Sequence, residues 1–114
     1  MRFLLVLLPM LALSLPVVAV QSLEGRWWIV LGSSAAPESL PRDFPEANRA
    51  VAAARRCGVE AMGDYSAKFE GFAPELYVAV VGGFSTRREA EAMLARLRRC
   101  VPDAYLRHGG YGGE

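Results

Sequence analysis

"TRREAEAMLARLRRC", Thr86 to Cys100, has a near-copy earlier in the chain, "DFPEANRAVAAARRC", Asp43 to Cys57. The two align without a gap: Asp43 matches Thr86, Glu46 matches Glu89, and both close on Arg-Arg-Cys. The stretches ahead of them correspond as well, "RWWIVLG" (Arg26 to Gly32) and "LYVAVVG" (Leu76 to Gly82). A chain that contains itself twice is read first as two copies of one supersecondary unit.

Each unit has the pattern strand, loop, helix, strand. Trp27 to Leu31 and Tyr77 to Val81 are short, aromatic and β-branched, and glycine follows each, so they are predicted strands. Both helices are expected to open on a capping box, Asp43 with Glu46 and Thr86 with Glu89, because each side chain can satisfy an orphan amide of the first turn. Pro45 suits that turn, where its missing N–H costs little. Ala47, Ala50, Val51 and Ala54 form one apolar stripe, and Ala90, Met93, Leu94 and Leu97 form the other. A further strand is expected after each helix, within Val59 to Phe69 and within Asp103 to His108. Two such units, about 26–69 and 76–108, joined by "EGFAPEL", predict an α+β fold. It is the ferredoxin-like βαββαβ arrangement, a four-stranded antiparallel sheet with two helices on one face. By alternation, Ile29, Leu31, Tyr77, Ala79 and Val81 face the helices, and Trp28, Val30, Val78 and Val80 point to the open face.

The passage from strand into helix at "VVGGFSTRREAEAML" (Val80 to Leu94) has the grammar of a phosphate-cradling turn, but the rest of that chemistry is missing. A dinucleotide fingerprint needs a third glycine at fixed spacing, and a phosphate loop needs a lysine; neither follows Gly82-Gly83. The glycines are expected to serve the backbone alone. His108 is the single histidine, expected at the surface beside the glycine-rich tail. No carboxylate pair or nucleophile–base pair stands out, and Cys57, Cys100 and His108 lack metal-ligand spacing. The expectation is a protein with no catalytic residues, metal or cofactor.

Residues 1–19 are expected to be a secretory signal peptide: Arg2, an apolar stretch, Pro16, then "VVA" before cleavage near Ala19. The competing possibility is an anchor retained over Phe3 to Val20, weakened by Pro9, Ser14 and Pro16. Cleavage would leave a 20–114 domain in the periplasm without a stable membrane span. Thirteen basic residues stand against twelve acidic ones, and the loss of Arg2 balances them. A neutral domain has no global field to gather nucleic acid. The faint aromatic echo of an RNA-binding motif in "FEGFAPELY" lacks that motif's basic residue and glycines.

Two cysteines in an oxidising compartment point to one disulfide. Geometry points the other way. Side-by-side antiparallel helices would set the two cysteines about one helix length apart, ~18 Å, whereas a bridge needs Cα atoms within about 7 Å. The balance leans slightly against an intrachain bridge.

The segment "YVAVVGGFSTRREAEAMLARLRRCVPDAYLR" resembles the second half of a SPOR (sporulation-related repeat) domain. "WWIVLGSS" is similar to that family's first strand and Gly-Ser turn. The resemblance runs from about Arg26 to Arg107 and implies the same βαββαβ plan. It further implies an exported, non-catalytic module that binds peptidoglycan glycan strands in the cell envelope. The chain departs from the family where a glutamine is common (Val30), where polar residues alternate in the third strand (Val78, Val80), and where proline is common (Gly83).

On that footing the open face is the expected binding surface, with Trp28 stacking on a sugar ring beside Val30, Val78 and Val80. Polar partners would come from the outer strands: Tyr65, Lys68, Tyr105 and Arg107. The alternative use of the same apolar strip is a docking face for an envelope protein or a second copy of the chain. The arginines of the second helix, Arg87, Arg88, Arg96, Arg98 and Arg99, are expected to form a solvated outer face.

Overall fold

A computed structural model of the chain describes residues 25–37 and 43–113. The expected leader, residues 1–19, lies outside the described residues. Six main elements follow in order: β1 (Arg26–Ala35), α1 (Pro45–Arg56), β2 (Met62–Tyr65), β3 (Leu76–Phe84), α2 (Arg87–Leu97) and β4 (Tyr105–Gly109), with a short 3₁₀ turn at Ser66–Lys68. The sheet order is β2-β3-β1-β4 and every pairing is antiparallel. This is the ferredoxin-like α+β fold that the duplication predicts.

The alternation holds as well. Ile29, Leu31, Ala79 and Val81 are buried in one cluster with Ala47 and Ala54 of α1 and with Leu94 and Leu97 of α2, and Tyr77 packs against its edge. Both helices therefore cover the same face. Small residues let α1 approach closely: a Cβ on Gly32 would stand 3.1 Å from Ala50 Cβ. A register shift between Val30 and Gly32 inserts Leu31 as an extra residue in β1, which is how a bulge re-aims the side chains beyond it. Beyond the shift Ser34 also turns towards α1.

Ser34 corrects one sequence expectation. The capping box of α2 is present: Glu89 N–H donates to Thr86 Oγ1 at 3.1 Å and Thr86 N–H donates to Glu89 Oε1 at 3.2 Å. At α1 the cap position is Phe44, with no side-chain cap, and Pro45 opens the helix. Asp43 stands one residue too early to cap. Ser34, reaching over from β1, does the work instead: its hydroxyl donates to Glu46 Oε1 (2.8 Å) and accepts from Ala47 N–H (3.0 Å). The Glu46 carboxyl sits below its ordinary pKa, chiefly through its own backbone N–H, then through Ser34, with Arg49 adding a favourable charge.

Gly82 and Gly83 also differ from expectation, because they lie within β3 and form no turn. Gly82 has φ +145°, and a Cβ there would meet Trp27 O at 2.8 Å; one on Gly83 would meet Arg26 Cβ at 2.8 Å and Trp28 Cζ2 at 2.9 Å. Only glycine permits this approach of β3 to β1. The peptide between the two glycines is cis.

Cys57 and Cys100 are bridged, with Cα atoms 6.1 Å apart. The slight leaning against a bridge fails because it placed the helices side by side along their full length. They meet at their C-terminal ends: Arg96 Nη2 donates to Cys57 O at 3.3 Å. Cys100 sits in the turn after α2. Arg98 fastens that turn with two hydrogen bonds to Ala104 O, at 3.1 and 2.9 Å.

Candidate functional site: the helix-free face of the sheet

Trp28, Val30, Val78 and Val80 point away from the helices, as alternation predicts, but they are not open to solvent. Each is 2% exposed or less. They form a second apolar cluster with Phe69, against which Phe72, Leu76 and Tyr111 pack. No helix covers them. The covering residues belong to the β2–β3 connection and to the chain after β4. Ser66, itself 1% exposed, anchors the connection by accepting a hydrogen bond from Leu76 N–H at 3.1 Å.

Around Trp28 the contacts are specific. Its indole N–H donates to Gly109 O at 2.9 Å. The Phe69 ring meets it edge-on at 5.2 Å and the Tyr111 ring at 5.5 Å. Phe72 stacks on Phe69 at 4.5 Å. Such edge-to-face arrangements suit the aromatic quadrupole, and burying each ring contributes about 1.5–3 kcal/mol. In this conformation a sugar ring cannot reach Trp28, and Val30, Val78 and Val80 offer no surface to a ligand, a protein partner or a second copy. The expectation of an exposed apolar strip is thereby corrected. The signal available in the sequence was the presence of aromatic residues, Phe69, Phe72 and Tyr111, in segments otherwise rich in glycine and polar residues.

The four polar candidates separate. Tyr65 pairs with Tyr77 across β2 and β3 and turns to the helix side, where Phe44, Tyr65 and Tyr77 form an aromatic triad; Phe44 stacks on Tyr77 at 4.1 Å and meets Tyr65 edge-on at 5.9 Å. Burial there, with the nearby Asp64 charge, raises the Tyr77 pKa. Tyr65 is thus no part of the far face. Lys68, on the β2 side, pairs with Asp64 Oδ1 at 3.3 Å. Tyr105 and Arg107 lie opposite Val30 and Trp28 on β4, so they do belong to the helix-free face. Tyr105 is 46% exposed, and the Arg107 guanidinium stands 5.9 Å from its ring centre.

Asp64 belongs to no motif in the sequence. It shares the far face, opposite Val78. Its Oδ1 accepts from Tyr65 N–H at 2.8 Å, and its Oδ2 accepts from the Tyr111 hydroxyl at 2.5 Å. Next to it, a groove of about 570 Å³ is lined by Ala67 to Glu70 and Gly110 to Gly112.

The remaining candidates are structural. His108 is exposed, donates from Nε2 to Gly25 O at 2.7 Å and lies 4.6 Å from the Trp27 ring. Arg87 pairs with Glu91 at 2.9 Å and also stands over the Trp27 ring. Among the described residues no three metal-ligating side chains converge, and no helix is long and apolar enough to cross a membrane.

No curated protein and no solved structure matches the chain. A family model does, that of the SPOR domain, over residues 23–107. That span takes in every strand and helix among the described residues up to the middle of β4 and both halves of the duplication, so the chain belongs to the SPOR domain family.

Proposed function

We propose that this chain is an exported module that binds peptidoglycan glycan strands through the β4 side of its helix-free face. SPOR domains bind peptidoglycan, are not catalytic and occur in cell-envelope proteins. Residues 1–19 act as the signal peptide, removed near Ala19, and the domain from residue 20 onward works in the periplasm. The carrying observation is Tyr105, a large aromatic left exposed on the one face that the helices do not cover. Its ring offers a flat apolar platform for the C–H face of a pyranose. Arg107 brings a planar fork of N–H donors beside that platform, suited to sugar hydroxyl and acetamido carbonyl oxygens. Lys68 could add a donor from the opposite edge of the sheet.

Retention of the folded domain on purified sacculi tests this. Binding is expected to persist, or rise, on glycan strands stripped of their stem peptides. Tyr105→Ala is expected to weaken it on the order of tenfold, about 1.4 kcal/mol, without a change in fold, since the side chain is exposed. No retention on stripped strands would overturn the proposal.

A further inference from the structure

We propose that Gly110–Gly113 is a displaceable strap whose Tyr111 ring occupies, in the closed protein, the place that a sugar ring takes on Trp28. The inference rests on the glycan-binding proposal and extends it from the exposed Tyr105 to the covered centre of the same face.

The strap has one side-chain anchor. Its other residues, Gly110, Gly112 and Gly113, are glycines, so it has no second side chain of its own, and its fixed end is Gly109, held in β4 opposite Arg26 and by the Trp28 indole N–H. Its backbone is held by Glu70 N–H donating to Gly110 O (3.0 Å) and by Gly112 N–H donating to Lys68 O (2.9 Å), around an isolated bridge between Phe69 and Tyr111. A third bond runs from Gly110 N–H to Glu70 Oε1 at 3.3 Å. Segments with few apolar contacts and a short ladder belong to the low-stability end of a fold. The helix-side core shares no residue with this cluster, so the strap can leave without disturbing it.

What the strap leaves behind is a built site. Tyr111 is a six-membered ring with a hydroxyl, packed against Trp28 and, at 4.7 Å, against Phe69. Its hydroxyl is taken by Asp64 Oδ2. Asp64 is already positioned by two partners on Oδ1, Tyr65 N–H and Lys68, so it keeps its aim once Tyr111 has gone. A pyranose fits the same three groups: aromatic walls for its C–H face and a carboxylate oxygen for one hydroxyl. The groove between Ala67–Glu70 and Gly110–Gly112 follows the seam along which the strap would part.

A closed majority lowers apparent affinity by the fraction of molecules that are open. Tyr111→Ser removes the anchor and leaves Tyr105 and Arg107 untouched. The experiment uses the chain with Trp27→Phe, so that fluorescence reports Trp28 alone, and compares it with the same chain carrying Tyr111→Ser. Acrylamide quenching and titration with stem-peptide-free glycan strands are the two readouts. Tyr111→Ser is expected to raise quenching of Trp28 and to raise glycan affinity on the order of tenfold, as for an open fraction of about one tenth. Adding Asp64→Asn is expected to cancel the gain in affinity while quenching stays high. Unchanged quenching overturns the strap. Raised quenching with equal glycan binding by both proteins overturns the covered sugar site while leaving Tyr105 as the platform. Binding by neither protein overturns both this proposal and the one on which it rests.

Discussion

Cys57 and Cys100, residues at matching positions of the two half-repeats, are joined by a disulfide that ties the C-terminal ends of α1 and α2. The bridge closes a loop across a sequence separation of 43 residues. That loop contains β2, β3 and all of α2, so the bridge links the two halves of the duplication covalently. Restricting the unfolded chain over a loop of this length is worth about 4 kcal/mol, a large share of the stability of a small domain. Replacing both cysteines with serine is expected to lower the urea midpoint by the corresponding amount, with native circular dichroism kept below the transition. An unfolding free energy within about 1 kcal/mol of the parent's would show that the bridge adds little to the fold.

The halves of the fold differ in how far the sequence disclosed them. The duplication carried the element order, the sheet topology and the face assignment, because hydrophobic periodicity is a local signal that survives in both copies. The cover over Trp28 was hidden because it is made by Phe69, Phe72 and Tyr111, which lie in a connector and a tail and belong to no repeating pattern. Nothing local says that a ring in a glycine-rich tail will pack over a strand 83 residues before it, from Trp28 to Tyr111. Tyr105 and Arg107 were legible because β4 alternates in simple register with β1. Tyr65 turns to the helix side against expectation because β2 is only four residues long, too short for its register to be read from pattern. The bridge escapes a sequence reading because sequence gives helix lengths and not where helix ends meet.

Helix starts separate the two copies sharply. Ser34 is 5% exposed and satisfies Ala47 N–H from outside the helix. Ser34→Ala leaves that buried donor without its partner, a loss of about 1–3 kcal/mol. Thr86→Ala removes an exposed capping box and is expected to cost about 1 kcal/mol. Asp43→Ala, though at the position aligned with Thr86, is expected to stay within about 0.5 kcal/mol of the parent. Urea denaturation of the three variants should therefore rank Ser34 first, Thr86 second and Asp43 last. An Asp43 effect equal to that of Thr86 would restore the symmetric capping that the alignment alone implies.

The same contact gives a pH dependence with a definite sign. The Glu46 carboxyl is held below its ordinary pKa in the folded protein, first by its own backbone N–H and then by Ser34. A depressed acid stabilises the fold above the unfolded pKa, about 4.3, and that contribution fades as pH falls through the lower folded value. Glu46→Gln removes the titration. Urea midpoints measured from about pH 5 to about pH 2 should fall less steeply for Glu46→Gln than for the parent, with the two curves converging at the acid end. Parallel curves across that range would mean that Glu46 has the same proton affinity folded and unfolded.

Gly82 tests why β3 carries two glycines in a strand. Its φ of +145° is one that side chains rarely adopt, and an added Cβ would stand 2.8 Å from the backbone oxygen of Trp27. The obstacle is backbone, which cannot rotate aside as a side-chain tip would. Relief requires β3 to move away from β1, and those two strands form the central pair of the sheet. Gly82→Ala is therefore expected to destabilise the domain by about 1–3 kcal/mol, the usual weight of forced overpacking. The same shift would loosen Trp28, whose Cε3 lies 3.1 Å from the modified position. Acrylamide quenching of Trp28 in the Trp27→Phe background should therefore rise along with the loss of stability. A phosphate-cradling role would instead leave stability nearly unchanged and alter only the binding of nucleotides, so an unshifted urea midpoint for Gly82→Ala would count against the close-approach explanation of these glycines.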